Sequence, residues 1–174
     1  GRSEFGCQAE RWHVLCSYSE RPDSPGGLNE DVMVVIRNIL VATDFSEPSC
    51  VALAYGRDLA RNYNARLHVL HVVEDVMLRY IPEVGLTGDD LQPDVEALAR
   101  RDLDALIRDD DRNELGAVGV IIRGVKPADT IAAYAKANPI DLIVTGTHGR
   151  GAVKHFLMGS VAGRVVRTAP CPVL

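Results

Sequence analysis

Gly146-Thr-His-Gly-Arg-Gly-Ala-Val-Lys-His-Phe-Leu-Met-Gly-Ser160 is the stretch on which the reading of this chain turns. The apolar run Ile140-Asp-Leu-Ile-Val-Thr145 stands before it. Val161-Ala-Gly-Arg-Val-Val-Arg-Thr-Ala-Pro170 follows, a short helix stopped by proline. The order is therefore buried strand, glycine-bearing loop, helix. That order suits an anion. Glycines let a ligand approach the main chain. The unpaired N–H groups and dipole of a helix start favour phosphate. Ser160, at or near the N-cap, adds a hydroxyl that either caps the helix or meets the ligand.

Two readings of this loop stand side by side. One is a tight turn at Gly146 and Gly149 followed by an ordinary capped helix. The other is a phosphate cradle running from Thr145 to Val161. The spacing is that of neither the P-loop nor the dinucleotide fingerprint, because G-x-x-x-x-G-K-[ST] and G-x-G-x-x-G are both absent.

Gly146-x2-Gly149-x9-Gly159-Ser160 resembles the nucleotide-binding signature of the universal stress protein family. Three further pieces agree: Asn38-Ile-Leu-Val-Ala-Thr-Asp-Phe-Ser46, Leu70-His-Val-Val73 and Ala169-Pro-Cys-Pro-Val173. The resemblance runs over roughly residues 34–174, and the intact glycine motif is that of the ATP-binding branch.

Composition limits the alternatives. The chain has 174 residues, 47% hydrophobic and 25% charged, the size and make-up of one globular domain. A net charge of −5 and a pI near 5.5 argue against nucleic acid or an anionic membrane as the main partner. No apolar run approaches the roughly 20 residues needed to span a bilayer, and no signal peptide is evident. Cys7, Cys16, Cys50 and Cys171 are scattered without a C-x-x-C pair, which reads as free thiols in a reducing cytoplasm.

Residues 1–33 differ from the rest in their Ser, Gly, Pro and charge content. Much of this stretch is expected to be a poorly structured leader, made of artificial residues or upstream translation, with Met33 a natural start. The alternative is an N-terminal arm that packs on a partner.

From residue 34 strands alternate with helices. Strands are expected at 34–43, 66–73, 117–123 and 140–145, and a fifth begins at Cys171. Ser46, Glu47 and Pro48 signal a helix start. That helix is expected to bury Val51, Ala54, Tyr55 and Leu59. A long connection over 74–92, with a helical turn at 76–81, leads to a helix over 94–111. This helix carries Val95, Ala99, Leu103 and Leu106 inward. Asp109, Asp110 and Asp111 would oppose its dipole and fray its end. A smaller helix after Pro127 turns Ile131, Tyr134 and Ala135 inward. Alternation of this kind predicts an α/β domain with an open parallel five-stranded sheet. The family resemblance implies the adenine nucleotide alpha hydrolase-like arrangement, strand order 3-2-1-4-5, which brings Asp44 and Gly146 together at the switch point.

The resemblance also implies the roles of single residues. Ala42 and Thr43 line the base side, and Asp44 lies near ribose or a phosphate-bound Mg²⁺. Val72 offers its main chain to adenine. Gly146, His148 and Gly149 meet ribose and phosphates through the backbone, and Gly159 and Ser160 hold phosphates. Thr145, Arg150 and Val161 complete the candidate set. An Asp before a helix is commonly a cap, but Ser46 is the better-placed cap and leaves Asp44 for a ligand. Arg150 and Lys154 fit either phosphate contact or a solvated loop. His68 and His71 lie three apart on a strand and so face opposite sides, which denies them a shared metal. His148 and His155 lack a Cys or carboxylate to complete a zinc set.

The resemblance implies an ATP-binding stress protein acting as a sensor or switch, with AMP or a cyclic nucleotide as other ligands. Asp44 with Mg²⁺ would support at most slow hydrolysis, since no G-x-S-x-G elbow or general base is evident. A hydrolase or adenylyl transferase of the same fold group would need H-x-G-H or S-G-G-x-D-S, and neither is present. A nucleotide-free dimerisation module conflicts with the intact glycine set. The resemblance further implies a homodimer paired through the C-terminal strand. Because the sequence stops at Leu174 and Pro170 and Pro172 lack donors, that dimer is expected to be weaker than the family norm.

Overall fold

The computed structural model describes residues 34–75, 80–81, 86–147 and 159–174. The leader over 1–33, the helical turn expected from residue 76 to 79, and His148, Gly149, Arg150, Lys154 and His155 lie outside the described residues.

The chain runs β1 (Asn38–Ala42), α1 (Glu47–Tyr63), β2 (Arg66–Val73), β3 (Tyr80–Ile81), β4 (Leu86–Thr87), α2 (Gly88–Leu106), α3 (Asp109–Leu115), β5 (Val118–Arg123), α4 (Pro127–Ala137), β6 (Leu142–Thr145) and α5 (Ser160–Thr168). Four strands form a parallel sheet in the order β5-β2-β1-β6. The short β3 and β4 pair antiparallel apart from it, so Tyr80 and Ile81 are strand where a helical turn was expected.

Side chains alternate across this sheet, as period 2 demands. Ile39, Val41, Leu67, Val69 and Val144 enter one core, with Leu53 of α1, Leu103 of α2 and Leu115 of α3. Leu40, Ala42, Leu70 and Ile143 enter the other, with Ile131 of α4 and Val165 of α5. Burial on both faces explains the near-continuous apolar strands. Each fully buried Leu or Ile contributes roughly 1.5–3 kcal/mol.

Among the described residues the sheet has four strands, where five were expected. The segment after Pro170 makes one parallel bridge, Val173 to Ile143. Three backbone bonds hold it: Ile143 N–H to the Pro172 carbonyl, Leu174 N–H to Ile143, and Thr145 N–H to Leu174. Pro172 has no N–H to extend this ladder.

Helix α1 buries Ser49, Ala52, Leu53, Gly56, Arg57 and Ala60. Of the expected stripe only Leu59 packs against the core: Ala54 is exposed, Val51 is 52% and Tyr55 60% exposed. Close packing decides this. A Cβ on Gly56 would sit 2.4 Å from Cγ2 of Val41, so α1 lies on the sheet through its smallest residues. Arg57 on that face is neutralised by Asp111, with Nε and Nη2 contacts of 2.7–2.9 Å.

The aspartate run also differs from expectation. Helix α2 stops at Leu106 and a separate α3 starts at Asp109, which puts all three aspartates in a first turn. There they complement the helix dipole instead of opposing it. Asp111 also accepts the Arg108 N–H at 3.0 Å, closing the cap.

Candidate functional site

Beyond the carboxyl ends of β1, β2 and β6 lies a cavity of about 340 Å³. This is where an open α/β sheet binds ligands. Ala42, Thr43 and Asp44 reach it from β1 and the turn after it, Val72 from β2, Thr145 and Gly146 from β6, and Gly159, Ser160 and Val161 from the start of α5. Nine predicted residues, scattered from position 42 to position 161, thus line one space. His148, Gly149 and Arg150 belong to the undescribed part of the loop.

One side of the cavity is apolar, with Ala42, Leu70, Val72 and Ile131. Beside it β2 outruns β1: the β1 register ends at Ala42 opposite Leu70, while β2 continues to Val73 against β5. The Leu70 carbonyl accepts the Thr43 N–H on the β1 side, and the Val73 carbonyl accepts Gly124 N–H on the other. Val72, two residues after Leu70, therefore aims its N–H and C=O to the side that β1 has left. An apolar slot is thus edged by one donor and one acceptor.

The opposite side is built of backbone donors. Gly159, not Ser160, is the N-cap of α5, and its own N–H is bonded to the Thr147 carbonyl at 2.7 Å. The first intrahelical bond runs from Gly163 N–H to the Gly159 carbonyl, so the N–H groups of Ser160, Val161 and Ala162 have no partner within the helix. The first turn of α5 holds no acidic residue. Pro127 at the start of α4 and Ser49 in the first turn of α1 line the same cavity. Three helix N-termini thus face it, and their dipoles add a positive field.

Gly146 joins the two sides. A Cβ there would lie 2.9 Å from the carbonyl carbon of Pro48, 3.0 Å from its oxygen and 3.1 Å from the nitrogen of Ser49. Only glycine lets β6 exit this close to the start of α1.

The turn after β1 is held internally. Ser46 occupies the N-cap position of α1 but makes no side-chain cap bond. Instead its N–H and hydroxyl both donate to Oδ1 of Asp44. The expectation that Ser46 would release Asp44 is thus corrected: Asp44 lines the cavity while forming an Asx-type turn. Phe45 between them has φ +63°. For a non-glycine residue that costs roughly 1–2 kcal/mol. Thr43 Oγ1 accepts the Phe45 N–H at 3.0 Å and pairs with the Ser49 hydroxyl at 3.1 Å.

A family model for the universal stress protein family matches residues 36–174. The chain belongs to the universal stress protein family. A universal stress protein of Methanocaldococcus jannaschii is 31% identical over 142 residues, spanning 79% of this chain and 80% of that one. The structure of UspA from Lactobacillus plantarum matches with a TM-score of 0.68 and 30% identity, over 81% of this chain and 97% of that one. A universal stress protein from Archaeoglobus fulgidus, in complex with dAMP, shares the fold at 22% identity and a TM-score of 0.55, over 81% and 98% of the two chains.

In this universal stress protein domain the histidines separate as their spacing requires. His68 faces α4, where Nδ1 lies 2.8 Å from the Tyr134 hydroxyl. Burial, and secondarily the Arg66 charge, lowers its pKa and keeps it neutral. His71 faces the cavity and the β1–α1 turn. Among the described residues no group of three or more His, Cys, Asp or Glu is placed to hold a metal, and no helix is long and apolar enough to cross a membrane.

Sequence reasoning missed Ser49, Leu70, His71, Pro127, Ile131, Thr147 and Ala162 as lining residues. Thr147 and Ala162 were within reach, since they adjoin chosen positions. Ile131 was assigned to core, and nothing in its helical spacing separates a core residue from a cavity wall.

Proposed function

We propose that this universal stress protein binds an adenine nucleotide, ATP foremost, and acts as a switch in the cytoplasm rather than as a fast enzyme. The observation that carries the reading is the cavity's two-sided chemistry: an apolar slot edged by the Val72 main chain, opposite the first N–H groups of α5, which have no partner within the helix. Adenine would enter the slot and the phosphates would lie along Gly146, Gly159, Ser160 and Val161. The dAMP complex of the Archaeoglobus protein agrees with an adenine ligand but shares only the fold. Asp44 is the carboxylate on the cavity wall that would hold a phosphate-bound Mg²⁺, with phosphate oxygens and water supplying the other ligands.

Calorimetric titration with ATP, AMP, cyclic AMP and GTP, with and without Mg²⁺, tests the reading. Binding of ATP above GTP is expected, and no adenine nucleotide bound at millimolar concentration would refute it. Asp44→Asn keeps an acceptor for the Ser46 turn and removes the charge. It should weaken Mg-ATP more than metal-free ATP; equal affinities with the wild type would remove Asp44 from the metal.

The proposed homodimer would form through the C-terminal segment. Residues 172 and 174 bond to β6, so Val173 turns its N–H and C=O outward. Two such segments would pair antiparallel about a two-fold axis, in a homodimer with a small ladder. Sedimentation across concentrations should show reversible dimerisation, and Val173→Pro, which removes the outward donor, should shift it towards monomer. A dimer unaffected by Val173→Pro would put the interface elsewhere.

A further inference from the structure

We infer that His71 is the positioning residue of the nucleotide cavity, holding the turn of residues 43–46 in the shape that presents Thr43 and Asp44 to the ligand. This rests on the nucleotide reading above.

His71 lies on the part of β2 that continues past the end of β1. Its Nδ1 is 2.8 Å from the Thr43 carbonyl oxygen. A carbonyl only accepts, so Nδ1 carries the hydrogen. The ring also packs on Phe45, with centroids 4.4 Å apart and planes at 40°. Phe45 is the residue of this turn with a left-handed backbone. The bonds from Phe45 N–H to Thr43 and from Ser46 to Asp44 lie within the turn. They fix its internal shape but do not fix where it sits on the sheet. His71 grips it at two points, one residue before Asp44 and one after. Asp44, between them, lines the cavity. A strained turn persists only when its surroundings over-determine it, and strain of this kind collects at ligand sites.

Two substitutions separate the grip from general packing. His71→Phe keeps an aromatic ring against Phe45 and deletes the donor. His71→Asn restores an N–H near the position of Nδ1. The readouts are ATP affinity by calorimetry and amide hydrogen exchange at Phe45 and Ser46, with Val41 and Val69 as core references. In His71→Phe, ATP should bind about tenfold more weakly, the scale of one lost hydrogen bond. Phe45 and Ser46 should exchange about tenfold faster while Val41 and Val69 hold. His71→Asn should recover most of both effects. Wild-type affinity and exchange in His71→Phe would overturn the inference, and so would equal acceleration at the core references, which marks a merely structural role. If the wild-type chain binds no nucleotide, the proposed function falls; unchanged exchange at Phe45 and Ser46 would then separately reject His71 as the holder of the turn.

Discussion

Gly146→Ala adds a single methyl group where the nearest atoms are all main chain. The added carbon would stand 2.9 Å from the Pro48 carbonyl carbon, and ordinary contact begins near 3.4 Å. The obstructing atoms are main chain at the start of α1, so no side chain can rotate away. Either the exit of β6 or the start of α1 must shift by about half an ångström, and overpacking of this kind typically costs about 1–3 kcal/mol. In a domain of this size that lowers Tm by about 3–10 °C. Both displaced elements line the cavity, so the proposed nucleotide site should be disturbed as well. Misplacing one or two charge-assisted bonds, each worth about 1.5–3 kcal/mol, should weaken ATP by at least about tenfold. Differential scanning calorimetry and nucleotide titration on the same preparation measure the two effects. A Tm within 1 °C of wild type together with wild-type affinity would refute both the close approach and its place in the site.

Four other outcomes are expected. Arg57→Met should destabilise the protein by about 3–5 kcal/mol in urea because it strands the buried Asp111 carboxylate, while Arg57→Met with Asp111→Leu should cost far less than the two singles added. Burial works against the charged form of Asp111, but the Arg57 hydrogen bonds, the Arg108 N–H and both positive charges outweigh it and lower its pKa. Its contribution should therefore be present at neutral pH and lost as pH falls below about 4, the unfolded value, through the lower folded value; an acid unfolding curve unchanged in Asp111→Asn would reject this. His68 shifts the opposite kind of group in the same direction: its folded pKa is lowered, so the unfolded chain takes up the proton first, and stability should fall as pH drops below about 6.5. His68→Gln should flatten Tm between pH 7.5 and 5, pH values that bracket that range. Burial, with help from Asp141, raises the Cys171 thiol to about 11, whereas Cys50 is exposed. Iodoacetamide at pH 8, a pH near the ordinary thiol value, should label Cys50 well before Cys171 in peptide mass spectra.

Much of the fold was legible because burial leaves a periodic trace. β2 lies where its apolar run predicted, over Arg66–Val73, and α4 follows Pro127 as its start signal required. Errors arose where size or pairing, rather than hydrophobicity, decides which face turns inward. On α1 the larger Val51 and Tyr55 outweigh Ala52, Gly56 and Arg57 in any hydrophobic count. Yet the sheet accepts only the small residues, and Asp111, 54 positions away, makes Arg57 tolerable inside. At Asp109–Asp111 a helix break two residues earlier reversed the electrostatic meaning of the same three carboxylates.

By itself the sequence determined that this chain alternates strands and helices, that its glycine signature is complete, which short segments near positions 42, 72 and 146 end strands, and that Gly159-Ser160 opens a helix. Those are local properties, written in neighbouring residues. Only the tertiary structure decided that these segments meet. The parallel order β5-β2-β1-β6 sets β1 between β2 and β6, so their carboxyl ends open on one space. It decided too that Asp44 shares its carboxylate with Ser46, that Gly159 rather than Ser160 caps α5, and that His71 reaches Thr43. Such contacts depend on where strands stop relative to one another, a matter of register across the sheet that no single stretch of chain encodes.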